Sequence, residues 1–280
     1  MIFLILAIIC SSSLALILKH GHVKNNNTVL LINGNYATAS FISLMFMIFK
    51  YGFDISIEVF LFALFLGYLF AITFVIYSRA ISLAGTALAT VSARLSVLIP
   101  VIASIILYGE SPTFNMLLGF GLALVTLYLF YLSLKNHGTN ESKRGKYFYL
   151  LILLLGIGVV DLSMKIFDFN FPKSEKGMFV FIIFFSAFVY TLLYLFVKKI
   201  KFDKGTFTLG LILGVPNVLA INFLLAALSE LPAIIVFPIQ NIGVIVITAV
   251  VAYLIWKEQI NIYGKIAIAV GIAAIILLKL

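Results

Sequence analysis

Arg94, Asp161 and Lys165 are charged residues that lie within long apolar stretches of this 280-residue chain. A charge at the centre of a lipid bilayer costs at least about 2.5–3.5 kcal/mol on insertion scales, so it is rarely kept without a use. Arg94 lies near the middle of its stretch, and its guanidinium could hold a carboxylate or a phosphate through paired hydrogen bonds. We predict that Arg94 binds a ligand; the alternative is a structural arginine bound to backbone carbonyls or to a buried acid.

Asp161 and Lys165 are one helical turn apart, so they share a helix face and can form an ion pair. Asp161 could instead meet Arg94 and release it on protonation, which would couple the movement of a ligand to a proton. We therefore name Asp161 and Lys165 as proton-coupling candidates. The alternative is a local ion pair near the end of a span, with the Lys165 ammonium reaching towards the surface.

Pro216 and Pro238 lie inside apolar stretches, and side-chain amides follow each of them. Membrane helices that are interrupted or strained can expose polar groups to a ligand, so we predict that Asn217, Gln240 and Asn241 contribute to binding. The alternative for each proline is a packing kink whose backbone partners are satisfied by neighbouring helices. Buried amides and tyrosines also join helices, which makes weaker binding candidates of Asn35, Tyr36, Tyr77 and Asn222.

Composition places the chain in a membrane. Hydrophobic residues make up 64% and charged residues 10%, with a mean hydropathy of +1.22, whereas a soluble domain has about 45–50% and about 25%. The net charge of +9 is typical of loops held against anionic headgroups and the cytoplasm, so we do not predict a nucleic-acid partner. Cys10 is the single cysteine, which excludes an internal disulfide and a cysteine-based metal site.

Ten apolar runs approach the roughly 20 residues that a helix needs to cross a bilayer, so we predict an all-α polytopic membrane protein. The first five are Ile2–Leu18, Thr28–Phe49, Ile57–Ser78, Gly85–Tyr108 and Asn115–Leu134, and the second five are Tyr147–Phe167, Lys176–Val197, Phe207–Leu228, Pro232–Trp256 and Ile262–Leu280. A polar linker, 135–146, separates a first half (1–134) from a second half (147–280). The first run has no positively charged segment before it, so we interpret it as a helix of the mature protein and not as a signal peptide.

The two halves carry one unit twice. Glu110 and Glu258 lie 148 positions apart (258 − 110) and each follows one apolar run and precedes another. Five helices are an odd number, so the second copy must be inverted relative to the first, an architecture common in secondary transporters. We interpret both glutamates as structural helix-end residues that cap the helix following them, and Pro100, Pro216 and Pro238 as further structural residues.

These positions carry a resemblance to a known family. The matching positions are Arg79, Ala80, Pro100, Gly109, Glu110 and Gly119, and again Ala226, Ala227, Trp256, Lys257, Glu258, Gly264 and Gly271. The chain resembles, over nearly its whole length, the EamA-type branch of the drug/metabolite transporter superfamily. It departs from the pattern where Thr248 stands opposite Pro100.

The resemblance implies an inverted five-plus-five bundle whose third, fourth, eighth and ninth helices help line a central cavity. Members export amino acids and other small metabolites, or exchange sugar phosphates and nucleotide sugars. The resemblance therefore implies a secondary transporter for a small polar or amphipathic molecule, with no cofactor and with a bacterial inner membrane as its expected location. A lipid-handling or channel-like protein and a scaffold remain alternatives.

Lysine and arginine counts predict the orientation. Thirteen lie after the odd-numbered spans and four on the opposite side, so both termini are expected outside the cytoplasm. Histidines at 20, 22 and 137 lie in predicted loops, and the sequence has no phosphate-binding glycine loop, so we predict neither an enzyme nor a nucleotide-driven pump. Small residues suited to close helix contact, either within one chain or in a homodimer, are Gly119, Gly121, Gly264, Ala267, Gly271 and Ala274.

Overall fold

The helices follow the apolar runs of the sequence closely. The computed structural model describes residues 1–23, 27–51, 53, 55–135, 145–256 and 261–279, which contain no β-strand. These residues form ten α-helices: α1 (Ile2–Val23), α2 (Thr28–Phe46), α3 (Ile57–Leu95), α4 (Leu98–Tyr108), α5 (Phe114–Lys135), α6 (Lys146–Asn170), α7 (Lys176–Val197), α8 (Lys204–Leu228), α9 (Ala233–Trp256) and α10 (Ile262–Lys279). A π-helical turn, Met47–Tyr51, extends α2, and a 3-10 turn, Lys173–Glu175, precedes α7.

Seven stretches of the described chain are long and apolar enough to cross a membrane. They are Thr28–Phe49, Ile57–Tyr77, Phe114–Ser133, Lys146–Asn170, Lys173–Val197, Lys204–Leu228 and Ala233–Ile255. Three shorter apolar helices accompany them: Ile2–Leu18, Ser92–Tyr108 and Ile262–Leu278. The prediction of an all-α polytopic membrane protein is confirmed at this level.

One helix, α3, holds two of the predicted spans. Its backbone is helical from Ile57 to Leu95, yet the hydroxyl oxygens of Tyr77 and Thr90 are 3.4 Å apart. A straight helix would separate residues 13 positions apart by about 20 Å, so the chain reverses direction between them. We call residues 57–77 the first arm of α3 and residues 90–95 its return arm.

The return arm ends directly after Arg94. Ser96 and Val97 form a turn between α3 and α4, in which the Val97 amide donates to the Arg94 carbonyl at 3.3 Å. Pro100 explains the break, because it has no N–H to donate to the Ser96 carbonyl and its ring would clash with that carbonyl in a continuous helix. The predicted span Gly85–Tyr108 is therefore not one helix.

The other two helix-interior prolines leave their helices unbroken. The α8 helix continues through Pro216 and the α9 helix through Pro238, so the expected interruptions at those positions are wrong. Proline is tolerated in membrane helices where neighbouring groups and local adjustment satisfy the freed backbone.

Close helix contacts join the two halves in the middle of the bundle. The helices α2 and α8 pack against each other, as do α3 and α7, and α5 and α10. A Cβ atom added to Gly34 would lie 2.5 Å from the Phe207 carbonyl oxygen, and one added to Gly214 would lie 2.5 Å from the Asn35 carbonyl oxygen. The backbones of α2 and α8 are thus in direct contact, which no larger residue at Gly34 or Gly214 would permit.

Several of the small residues considered for a homodimer pack inside this chain instead. A Cβ atom on Gly119 in α5 would lie 2.9 Å from the Leu278 amide in α10, and Ala274 and Ala267 in α10 are fully buried. These residues join α5 and α10 within one molecule, and the homodimer stays a prediction.

Candidate functional site

Arg94 lies at the end of the return arm, where it meets α9. Its Nη1 atom donates a hydrogen bond to the Asn241 Oδ1 atom at 3.1 Å. The Nδ2 atom of Asn241 donates to the Phe237 carbonyl at 3.0 Å, which fixes the amide with its oxygen towards the arginine. The structure thus brings together two of the residues predicted to bind a ligand, one from each half of the chain.

Three buried polar atoms in the described part of the chain have no hydrogen-bond partner: Arg94 Nε, the Tyr36 hydroxyl and the Thr73 hydroxyl. A guanidinium has five N–H donors, and each buried donor left unpaired costs about 1–3 kcal/mol. Such atoms mark places where a ligand or water would supply the missing bond. Thr73 was not predicted, although it lies one helical turn before Tyr77 on the first arm of α3.

Aromatic rings connect these groups. The Tyr36 ring packs edge-on against Phe74 with centroids 6.4 Å apart, and Phe74 packs in the same way against Tyr77 at 6.4 Å. Tyr77 interacts electrostatically with Arg94. Tyr36 and Tyr77 therefore belong to the same region of the molecule as the arginine.

Asp161 of α6 also belongs to this region. Its carboxylate interacts electrostatically with Arg94. The two do not form an ion pair, which requires a nitrogen and an oxygen atom within 4.0 Å of each other. The region therefore holds a cationic group and an acidic group that interact without forming an ion pair. Such a pair can receive the two charges of a zwitterion, or can exchange one partner for an anionic ligand.

Lys165 is paired elsewhere. Its Nζ atom lies 2.9 Å from Glu110 Oε1, and the two side chains are only 8% and 13% exposed. The ammonium also lies 5.8 Å from the centroid of the Tyr108 ring. The expected ion pair between Asp161 and Lys165 is therefore wrong, and so is the alternative in which Lys165 reaches the surface: Glu110 supplies a nearer, fixed carboxylate.

Glu110 is fixed by a helix of the other half. Its two carboxylate oxygens accept hydrogen bonds from the Ala233 and Ile234 amides at 2.9 and 3.2 Å, at the start of α9. Burial raises the pKa of Glu110, but the bonds from Ala233, Lys165 and Ile234 outweigh it and hold the pKa below its ordinary value.

The helix that Glu110 caps differs from the expected one. We expected it to cap α5, which follows it, but Thr113 has that role through its hydroxyl and the Met116 amide at 3.3 Å. Gly109 ends α4 with a φ of 64°, a left-handed conformation suited to glycine. The corresponding prediction for Glu258 lies outside the described residues.

Two of the remaining predicted amides join helices, and the third bonds within its own helix. Asn217 of α8 donates to Asn35 of α2 at 3.0 Å, and Gln240 of α9 donates to Ser11 of α1 at 3.4 Å. Asn222 donates to the Val218 carbonyl of its own helix at 2.9 Å. The bonds of Asn217 and Gln240 are those of helix association.

Arg94 is not among the lining residues of two cavities of the molecule, although its neighbour Leu95 lines the second. One of about 510 Å³ lies between the end of α1 and the start of α8, and its lining includes His20, Asp203 and Thr206. The other, of about 420 Å³, is mainly apolar and includes Ser92 and Leu150. Within the described ranges, no group of three or more histidine, cysteine or acidic residues could hold a metal ion.

A polytopic helical membrane protein with a buried ionic site between its helices is the class that these features define. Residues 145–280 match the EamA-like transporter family. The resemblance predicted from the sequence is confirmed. This match points to a membrane transporter.

Two further comparisons cover nearly the whole chain. An uncharacterized protein of Haemophilus influenzae is 28% identical over 285 aligned positions, which cover 97% of this chain and 95% of that protein. One crystal structure of a protein is similar in fold, with a TM-score of 0.80 and 16% sequence identity. The match covers 100% of this chain and 97% of the chain in that structure. This second likeness concerns the fold alone.

Proposed function

We propose that this protein is a secondary transporter that carries a small organic anion or zwitterion, such as an amino-acid-like metabolite, by alternating access. The proposal places the binding site between the return arm of α3 and α9, with Arg94 as the main anion-binding group. The observation that carries it is a buried guanidinium with one neutral hydrogen-bond acceptor, Asn241, and an unpaired Nε atom.

A carboxylate or phosphate would fit this arginine. A charged acceptor forms hydrogen bonds roughly twice as strong as a neutral one and can take two N–H donors at once. An anion at Arg94 would pair Nε and neutralise a charge that is otherwise costly in the membrane. Asp161, which interacts with Arg94 without forming an ion pair, would receive the ammonium group of a zwitterion.

The packing of the helices supports a five-plus-five inverted repeat. In such a repeat, each helix of the first half corresponds to the helix numbered five higher in the second half. The contact of α2 with α8 then corresponds to the contact of α7 with α3, and both are present. In the same way, the contact of α1 with α8 corresponds to that of α6 with α3, and that of α1 with α9 to that of α6 with α4. Such a symmetry of contacts is expected of two homologous halves related by a two-fold axis.

The direction and the location are further parts of the proposal. We favour export across a bacterial inner membrane, driven by a gradient, with both termini outside the cytoplasm because of the basic loops. Protonation of Asp161 would be one way to couple transport to a proton gradient. Transport by Asp161→Asn that keeps the pH dependence of the parent would contradict this coupling.

A second candidate function is an exchanger of phosphorylated sugars or nucleotide sugars, since a phosphate suits Arg94 equally well. A lipid-handling or channel-like protein is a weaker alternative, because a channel favours a continuous polar lining. In this protein the unpaired polar groups gather in one region.

Thermal stabilisation of the purified protein by a metabolite library tests the proposal, because a ligand that binds only the folded state raises apparent stability. We expect carboxylate or phosphate ligands to raise the melting temperature of the parent and of Arg79→Lys, the matched control, whose arginine is exposed. Arg94→Lys should weaken the effect and Arg94→Ala should abolish it. A ligand that stabilises Arg94→Ala as much as the parent would place the site elsewhere.

Flux measurements in proteoliposomes then separate a carrier from the alternatives. A saturable flux of the stabilising ligand that is lost in Arg94→Ala supports the carrier. A flux that does not saturate would favour a channel, and binding without flux would favour a scaffold or lipid-handling role.

A further inference from the structure

Two largely buried carboxylates at one end of the bundle each hold the start of a helix that belongs to the opposite half. A third acid at this end, Glu230, is more exposed and lies 3.5 Å from the N-terminal amine that precedes α1. We call this the Glu110 end; it comprises residues 109–113, 171–175 and 229–232 together with Ser56. The opposite, Asp203 end comprises residues 198–203 and the end of α1. The halves are those of the proposed repeat, 1–134 and 147–280.

The first carboxylate is Glu110, in the first half. It accepts bonds from the Ala233 and Ile234 amides of α9 and pairs with Lys165 of α6, both in the second half. Asn241, the partner of Arg94, lies eight residues after Ala233, which is about 12 Å along the helix. Glu110 therefore holds the helix that presents Asn241 to the candidate site.

The second carboxylate is that of Glu175, in the second half. Glu175 is 9% exposed. Its Oε2 atom accepts hydrogen bonds from both the amide and the hydroxyl of Ser56, each at 2.9 Å. Ser56 is the residue that caps the start of α3, the helix that carries Thr73, Tyr77 and Arg94. The arrangement is reciprocal, because each half supplies one acid that holds one site-bearing helix of the other.

The Asp203 end is built differently. The Asp203 carboxylate accepts from the Thr206 amide of its own helix at 2.7 Å, and Asn27 likewise accepts from the Val29 and Leu30 amides of its own helix at 3.1 Å. The cavity of about 510 Å³ separates α1 from the start of α8 here. Among the residues described at this end, we find no carboxylate that bonds one half to the other.

We propose that Glu110 and Glu175 form the gate that closes the Glu110 end, and that this end opens only when both carboxylates release the helix starts of the opposite half. The gate rests on the proposed alternating-access function. Opening must separate the halves at this end, so it must break the bonds from Ala233, Ile234 and Ser56. The two acids thereby set how much of the protein is closed at this end.

Cysteine labelling tests the gate without requiring transport. The background is Cys10→Ser, which removes the single cysteine, and the reporter is Ala233→Cys, at a fully buried position beside Glu110. We expect Glu110→Gln and Glu175→Gln each to speed labelling by a membrane-impermeant maleimide at least about tenfold, since hydrogen bonds to charged groups are the strong ones. Asp203→Asn is the matched control and should leave the rate unchanged.

Two labelling results would overturn the gate. Rates in Glu110→Gln and Glu175→Gln equal to the parent rate would show that neither acid keeps this end closed. An equal increase in Asp203→Asn would show general loosening of the bundle and not a gate.

A cross-link provides an independent test if a glutamine variant fails to fold. Ser56→Cys with Glu175→Cys, in the Cys10→Ser background, replaces the two bonded side chains by a pair that can form a disulfide. We expect oxidation to stop flux and reduction to restore it. Full flux in the oxidised protein would overturn the gate while leaving the transporter intact; faster labelling in the glutamine variants without flux of any substrate would retain the gate and overturn the transport proposal.

Discussion

Glu110 and Asp203 are both carboxylates that cap the start of a helix, but they do so in different contexts. Asp203 caps the helix that follows it and is exposed to solvent, whereas Glu110 caps a helix of the other half and is largely buried with Lys165. The pKa of each carboxyl is lowered by the hydrogen bonds that it accepts, from Thr206 for Asp203 and from Ala233, Lys165 and Ile234 against the effect of burial for Glu110. The same local chemistry therefore stabilises one helix in the first case and the contact between two halves in the second.

Of the changes considered, the substitution of Lys165, the ion-pair partner of Glu110, should reduce stability most. We expect Lys165→Met to lower the free energy of unfolding by about 3 kcal/mol, because it leaves the buried Glu110 carboxylate without its cationic partner. Thermal unfolding in detergent measures this change. Lys173→Met, which removes an exposed lysine of the same end, should differ little from the parent; equal effects of the two changes would mean that the buried ion pair adds no stability.

A smaller effect, dependent on pH, is expected from Glu110→Gln. The folded pKa of Glu110 is below its ordinary value, so its stabilising contribution is present above the unfolded pKa of about 4.3 and is lost as the pH falls through the lowered folded pKa. At neutral pH we expect a loss of about 2 kcal/mol, the range for hydrogen bonds to a charged group.

Melting temperatures measured over a range of pH check this expectation. The curves of the parent and of Glu110→Gln should differ at neutral pH and converge in acid. Curves that stay a constant distance apart would mean that the charge of Glu110 is not the source of the stability.

Asp203→Asn should give the smallest effect. Asparagine is itself among the preferred residues at a helix start, and Asp203 is exposed, so the new side chain can accept the same bond from the Thr206 amide. The melting temperature should stay close to that of the parent at every pH. A loss as large as that of Glu110→Gln would mean that the Asp203 end also contributes to holding the halves together.

Local pattern and repeat spacing could predict part of the candidate site. The repeat offset placed Asn241 opposite Ala93, and the structure brings Asn241 to the neighbouring residue, Arg94. The apolar runs could likewise be found from composition, because a helix in lipid must satisfy its own backbone over a fixed length. Pro100 could have predicted the break after Arg94, since its effect on the preceding turn is local.

Partners distant in the sequence could not be predicted in the same way. The spacing of Asp161 and Lys165 says that they can pair on one helix face, but not that Glu110 lies closer to the ammonium. Likewise, the position of Glu110 at a helix end indicates a capping acid without revealing that the helix starts 123 residues later. Both depend on how the two halves dock, which no local pattern encodes.

The end of α3 at Arg94 has a consequence for how firmly an anion would be held. The last carbonyls of a helix carry a partial negative charge of about half an elementary charge, and Arg94 belongs to the last turn of α3. The helix end would therefore offset part of the arginine's positive charge towards a bound anion. If Arg94 binds an anion as proposed, this offset would lower its affinity, speed dissociation and so allow a high turnover number.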